Sequence, residues 1–309
     1  MKRLPAQFAV VVGLWLAFTG ASAEAFLGYD AMPGAPGILV GLPQGLGDSW
    51  DRAGSGLAKP LSIYFGWLEH RQGSTWALER QQSTGTAPWP LRGWWLGAST
   101  DVALGNRFGV LLSGSILFPQ RGAGTWFTDP VATSFDFEIP QYDWLALDGL
   151  ARGAICGGLD ILAGFRWDHT STRVEYSDDT RDDYILNAYL PLIGLQIRQQ
   201  YRNSCMLFRF VGAPLVRGQL RYHFWDGRGY AEFGDFIVTG GSFAEVLADY
   251  SLKFGDGLSL GGFVRWNALR VTTDEQSLSG STTEPVAWVV DIRSWTVCGS
   301  LSLGFFSPI

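Results

Sequence analysis

From Leu61 onward the chain alternates apolar and mixed side chains with period two. It does so in ten stretches whose connections are alternately short and long. The stretches are 61–70, 91–103, 107–118, 142–155, 158–170, 183–199, 204–215, 242–254, 258–272 and 286–306. In the eighth, Ala244, Val246, Ala248, Tyr250, Leu252 and Phe254 share one face, while Glu245, Asp249 and Lys253 fall on the other. Such a pattern predicts antiparallel strands and leaves little room for a helical domain.

Short turns join strands two to three (Leu104-Gly105-Asn106), four to five (Cys156-Gly157), six to seven (Gln200 to Asn203) and eight to nine (Gly255-Asp256-Gly257). Long loops are expected at 71–90, 119–141, 171–182, 216–241 and 273–285. With an even strand count, both chain ends then lie at the short-turn end. That is the plan of a bacterial outer-membrane barrel, with tight turns on the periplasmic side and long loops outside. The expected fold is all-β: a closed antiparallel up-and-down transmembrane barrel of ten strands with a polar lumen, over residues 61–309.

Composition agrees with a wall facing lipid. Charged residues are 17%, against about 25% in ordinary soluble domains, and only Lys2, Lys59 and Lys253 are lysines. A net charge of −6 excludes a nucleic-acid binder, which needs a basic surface, and 47% apolar content excludes disorder. Residues 1–25 read as a signal peptide: Lys2 and Arg3, an apolar run from Phe8 to Phe18, and small residues around Ala23. Residues 26–60 are Gly/Pro-rich and follow neither period, which predicts an irregular N-terminal segment or a lumen plug. Cys156, Cys205 and Cys298 are an odd number, so at most one bridge can form.

Alternation does not say which face points inward; composition does. The mixed faces carry Gly, Ser, Asp and Arg, which suits a crowded interior. Placed inside, the charges are Asp101, Asp148, Arg152, Asp160, Arg166, Asp168, Arg198, Arg209, Glu245, Asp249, Arg265, Asp291 and Arg293. Seven acids against six arginines predict a cross-linked ion network and not a charge-selective pore. Bulky Leu111, Phe243, Leu247 and Phe263 fall on the same face. On the lipid face, Trp67, Trp94, Trp144, Trp167, Trp266 and Trp288 form one expected girdle, and Phe108, Phe254 and Phe305 the other. Two strands change phase, around Pro191 and between Arg293 and Trp295, and both places predict bulges.

In strand number, export signal and loop pattern the chain resembles the omptin surface proteases. Gln141-Tyr142-Asp143-Trp144 is similar to the omptin Asp-x-Asp-Trp, with Gln141 where the first acid belongs. Tyr222-His223-Phe224-Trp225-Asp226 offers a His and an Asp, but not in the Asp-x-His order of the family. The resemblance therefore implies Asp143, His223 and Asp226 as an alternative catalytic set. His169 beside Asp168, and His70 beside Glu69, are weaker pairs, because neighbours in a strand point to opposite faces. Asp178, Asp179, Asp182 and Asp183 form a carboxylate run that could ligate calcium or could be a solvated loop.

No cofactor is expected. Outer-membrane lipid, lipopolysaccharide and a surface ligand are the expected partners. The expected function is surface recognition or envelope structure carried by the long loops, with an omptin-like protease and a narrow small-solute channel as alternatives.

Overall fold

The computed structural model describes residues 61–78, 84–104, 107–119, 122–128, 133–156, 158–201, 203–254, 258–280 and 285–303. The expected signal peptide (1–25), the segment 26–60 and Phe305 lie outside these residues, and so do the side chains of Glu69, His70 and Cys156. Every regular element described is a strand: β1 (Leu61–Leu78), β2 (Thr84–Ala103), β3 (Phe108–Pro119), β4 (Gly122–Thr128), β5 (Thr133–Cys156) and β6 (Leu159–Tyr176). There follow β7 (Arg181–Tyr201), β8 (Ser204–Ala213), β9 (Arg217–Trp225), β10 (Tyr230–Phe254), β11 (Leu258–Thr273) and β12 (Val286–Leu303).

These twelve segments make ten wall strands. β3 and β4 succeed one another between β2 and β5, and β8 and β9 do so between β7 and β10. β1 pairs with β2 on one side and β12 on the other, so the antiparallel sheet closes on itself. At membrane level this closure leaves no free sheet edge among the described residues, which is what a wall in hydrocarbon requires.

The strands run much further than the periodicity indicated. β5 has 24 residues and β10 has 25, whereas about 9–11 cross a bilayer. Most of the expected long loops are therefore wall: the connections shrink to 79–83, 129–132, 177–180, 226–229 and 274–285. The barrel consists of a membrane-level section near the short turns and a collar rising beyond it.

A reversal of hydropathy divides the two sections. In β7, Leu186, Ala188, Leu190 and Leu192 point inward and are buried, while Ile193, Leu195 and Ile197 point outward and are exposed. In β12, Trp288, Val290 and Ile292 point inward, whereas Trp295, Val297 and Leu301 point outward. Neither strand contains the expected bulge: β7 pairs with β6, and β12 with both neighbours, in unbroken register. Side-chain direction keeps its parity; the surroundings change. At membrane level the outside is oil and the inside polar, while in the collar the outside is water and the inside is the hydrophobic core. Pro191 instead lies opposite the interruption between β8 and β9. There Ile193 pairs with Gly212 and Tyr189 with Arg217, so Pro191 lacks its N–H where the neighbouring ladder is already broken.

The same reversal corrects four placements. Asp291 and Arg293 point outward on the collar and pair with each other at 3.1 Å, outside the lumen. Trp144 and Trp288 point inward and are buried, so they are not girdle residues. Trp144 shares the parity of Asp148 and Arg152, and Trp288 that of Ile292 and Ser294, which requires this direction. The outward set contains Trp67, Trp94, Trp167 and Trp266, joined by Trp295 at the same rim, with Phe108 and Phe254 toward the short turns. Between the rims, residues such as Ile161, Phe165, Ile193 and Val297 form a continuous apolar band, far larger than a water-facing surface tolerates.

Candidate functional site

The lumen at membrane level is filled by side chains that alternate with the lipid-facing band. The structure places eleven of the thirteen charges named from sequence on the inner face. Nearest the short turns, Arg152 bridges Asp101 at 3.2 Å and Asp160 at 3.4 Å. Arg198 reaches the other oxygen of Asp101 at 2.9 Å, and Gln196 donates to Asp160 at 3.2 Å. One level higher, the fully buried Arg166 forks onto Asp148, bonds Glu245 at 2.8 Å and lies over the ring of Phe243. Glu245 also takes Arg209 at 2.9 Å, and Ser113 donates to Asp148 at 2.8 Å.

Arg265 lies over Trp95 and Trp144, whose indole N–H donates to Asp168 at 2.7 Å. Forked contacts between guanidinium and carboxylate are the form in which charges tolerate burial, although Nε and one terminal nitrogen of Arg265, Nε of Arg152 and Arg209, one terminal nitrogen of Arg166 and one oxygen of Asp160 are buried without a hydrogen-bond partner. A cavity of about 80 Å³ remains beside Tyr64, Arg209, Asp249 and Arg265. That volume suits a few ordered waters and not a passing solute.

The collar carries a feature that sequence reasoning missed. Asp182 points inward and accepts from three phenols: Tyr176 at 2.6 Å, Tyr222 at 2.9 Å and Tyr184 at 3.1 Å. Tyr184 and Tyr222 pack at a tilt against each other; Trp288 reaches them from β12 across the interior, edge-on to Tyr184 and tilted to Tyr222, with Phe236 edge-on behind it. These rings meet inside the collar above the ion network. Burial pushes the Asp182 carboxyl up to about 6, opposed by the three phenol hydrogen bonds, and burial likewise raises Tyr176, Tyr184 and Tyr222. The signal was present as the shared inward parity of Asp182 and Tyr184, but the carboxylate run hid it.

The carboxylate run does not converge. Asp182 is inside, whereas Asp183 is outside and bonded to Arg173 at 2.7 Å. Asp178 accepts from the backbone and hydroxyl of Thr180, which lowers its pKa, and Asp179 takes a left-handed turn conformation at φ 64°. Among the described residues no group of His, Cys, Asp and Glu forms a metal cage. Cys205 and Cys298 are free thiols.

The alternative catalytic set also separates. Asp143 is exposed on the outer wall, where Gln141 donates to it at 2.8 Å. His223 lies on the outer face of β9 against Tyr230, and Asp226 caps the turn that follows, its pKa lowered by the backbone N–H groups of Arg228 and Gly229. The ladder puts Asp143 beside Ser171, then Ile185, then Arg221. Three strand spacings, about 14 Å, thus separate Asp143 from Arg221, and His223 lies two residues further along β9. A general acid–base pair needs hydrogen-bond reach. His169 bonds Asn187 at 2.9 Å, while Asp168 beside it points into the lumen.

Neither a protein-family model nor a curated protein matches the sequence. Solved structures do match. The outer-membrane protease OmpT of Escherichia coli superposes with a TM-score of 0.63 at 12% identity, covering 81% of this chain and 98% of OmpT. The translocator domain of the autotransporter NalP of Neisseria meningitidis gives a TM-score of 0.38 at 12% identity, covering 84% of this chain and 92% of that one. The likeness to OmpT concerns the fold, and it agrees with the closed wall and its apolar band. The chain has the fold of a small outer-membrane β-barrel, omptin-like in architecture, and its apolar outer band suits a wall standing in a membrane.

Proposed function

We propose that this protein is a closed surface barrel whose function, recognition or envelope structure, is exerted by the outer wall and short turns of its collar. One observation carries the reading: side chains from distant wall strands meet across the interior at three heights. Asp101 of β2 meets Arg198 of β7, Arg166 of β6 meets Glu245 of β10, and Tyr184 of β7 meets Trp288 of β12. Ten strands leave little bore in any case, and these contacts occupy it. On this reading the partners are outer-leaflet lipid, lipopolysaccharide and a surface ligand, and neither solute passage nor proteolysis is the activity.

Purified barrel in planar bilayers should show no stable conductance, and it should not cleave basic peptides with lipopolysaccharide added. Steady openings of nanosiemens size refute the closed interior. Cleavage that is lost in both Asp143→Ala and His223→Ala refutes the rest.

A further inference from the structure

His169, outside the alternative catalytic set, belongs to a different constellation on the outer wall. Its Nδ1 lies 2.9 Å from Oδ1 of Asn187, directly across the β6–β7 ladder. An amide oxygen only accepts, so Nδ1 carries the proton and Nε2 keeps its lone pair. Ser171 is the next outward residue of β6, about 6.6 Å further along the same face. A hydroxyl, an imidazole and a carbonyl that fixes the tautomer of the imidazole thus stand in sequence. This is the set of groups that turns a serine into a nucleophile. No hydrogen bond joins Ser171 to His169 in the free protein, and pairs of this kind commonly tighten only once substrate is bound. Arg173 follows Ser171 on the same face, with its Nε held by Asp183 at 2.7 Å. Its terminal N–H groups are donors of the kind that an oxyanion formed at Ser171 needs.

We propose that Ser171, His169 and Asn187 form an acyl-ester hydrolase site whose substrate is a glycerophospholipid lying along this wall. Position selects that class. One row toward the membrane from His169 are Trp167, whose ring is 5.8 Å from the imidazole, and Tyr189, packed on Phe165 in the lipid-facing band. Rim aromatics stand at headgroup level, so acyl chains lie against Phe165 and Tyr189 while the ester meets the rows above. The charges in the Ser171 row have both signs, Asp143 directly across on β5 and Arg221 two strands away on β9, which suits a zwitterionic headgroup.

The Ser171 hydroxyl oxygen adds to the ester carbonyl carbon while its proton passes to His169 Nε2. The adduct expels the glycerol oxygen, which takes that proton and leaves as lysolipid, with the acyl group on Ser171. Water then adds to the acyl carbon and gives a proton to Nε2. The bond to Ser171 breaks, the serine recovers the proton, and the fatty acid departs. Asn187 touches no reacting atom and is a positioning residue.

The test uses the refolded full-length chain in mixed micelles of detergent and phosphatidylcholine, with fatty acid and lysolipid measured by mass spectrometry. The unaltered protein should release the two in equal amounts, and a long-chain sulfonyl fluoride should modify Ser171 and stop the release. Ser171→Ala and His169→Ala, both surface changes, should lose roughly 100-fold or more in kcat, while Arg293→Ala elsewhere on the wall should keep full activity. Asn187→Ala should lower kcat about tenfold with KM unchanged, and Asn187→Asp, which also accepts from Nδ1, should restore it. The proposal is overturned by an unaltered, refolded protein that releases no fatty acid, by release that persists in Ser171→Ala, or by sulfonyl labelling that misses Ser171. A loss in Asn187→Ala that Asn187→Asp does not recover overturns it as well.

Discussion

Replacing Arg166 by Met tests the ion network, because its loss leaves two carboxylates with unequal consolation. Glu245 keeps Arg209 at 2.9 Å, whereas Asp148 keeps, among the described residues, the Ser113 hydroxyl at 2.8 Å. The Arg166 side chain is 1% exposed, so water cannot take over its role. Breaking a buried pair from one side costs about 3–5 kcal/mol, chiefly the penalty of the charge left behind, and here most of it falls on Asp148. Adding Asp148→Asn removes that charge and keeps an oxygen for Ser113, so the double variant should recover about 2 kcal/mol of the loss. Urea unfolding in lipid vesicles, followed by tryptophan fluorescence and extrapolated linearly, measures both changes. A loss below about 1 kcal/mol for Arg166→Met, or strictly additive effects in the double variant, refutes a desolvated, mutually dependent network.

Two further outcomes follow from the two halves of the barrel. The Asp182 carboxyl titrates at about 6 in the fold against 3.8 in its ordinary state, so the native protein binds the extra proton. Its contribution to stability is greatest below pH 4, falls as pH rises toward 6, and is flat beyond, a span of about 3 kcal/mol; the slope should vanish in Asp182→Asn, and an identical pH profile in the variant refutes the buried site. Brominated lipid should quench the outward Trp94, Trp266 and Trp295 in single-tryptophan variants and spare the inward Trp144 and Trp288; quenching of Trp288 equal to that of Trp266 contradicts the membrane boundary.

Which residues become wall was legible only in part. The ten membrane-level strands stood out because hydrocarbon outside and charge inside give a strong contrast along each strand, as in Leu159–Trp167. Collar strands such as β4, β9 and the first half of β10 escaped notice: with water outside and core inside their contrast has the opposite phase, so they broke the pattern and looked like loop. The phase changes at Pro191 and Arg293 were visible, but a bulge and a change of surroundings leave the same trace in a linear sequence.

Period two, turn spacing and the scarcity of lysine determined by themselves that the chain forms ten antiparallel strands around a polar middle, because backbone geometry sends successive side chains to opposite faces. Tertiary structure alone decided where oil gives way to water along each strand, and therefore that Trp144 and Trp288 are interior while Asp291 and Arg293 are not. It also decided partners: Asp182 meets Tyr222 and Tyr184 meets Trp288 only because the sheet closes. Closure brings together residues from distant strands, and that distance is a property of the ring, not of any local stretch of chain.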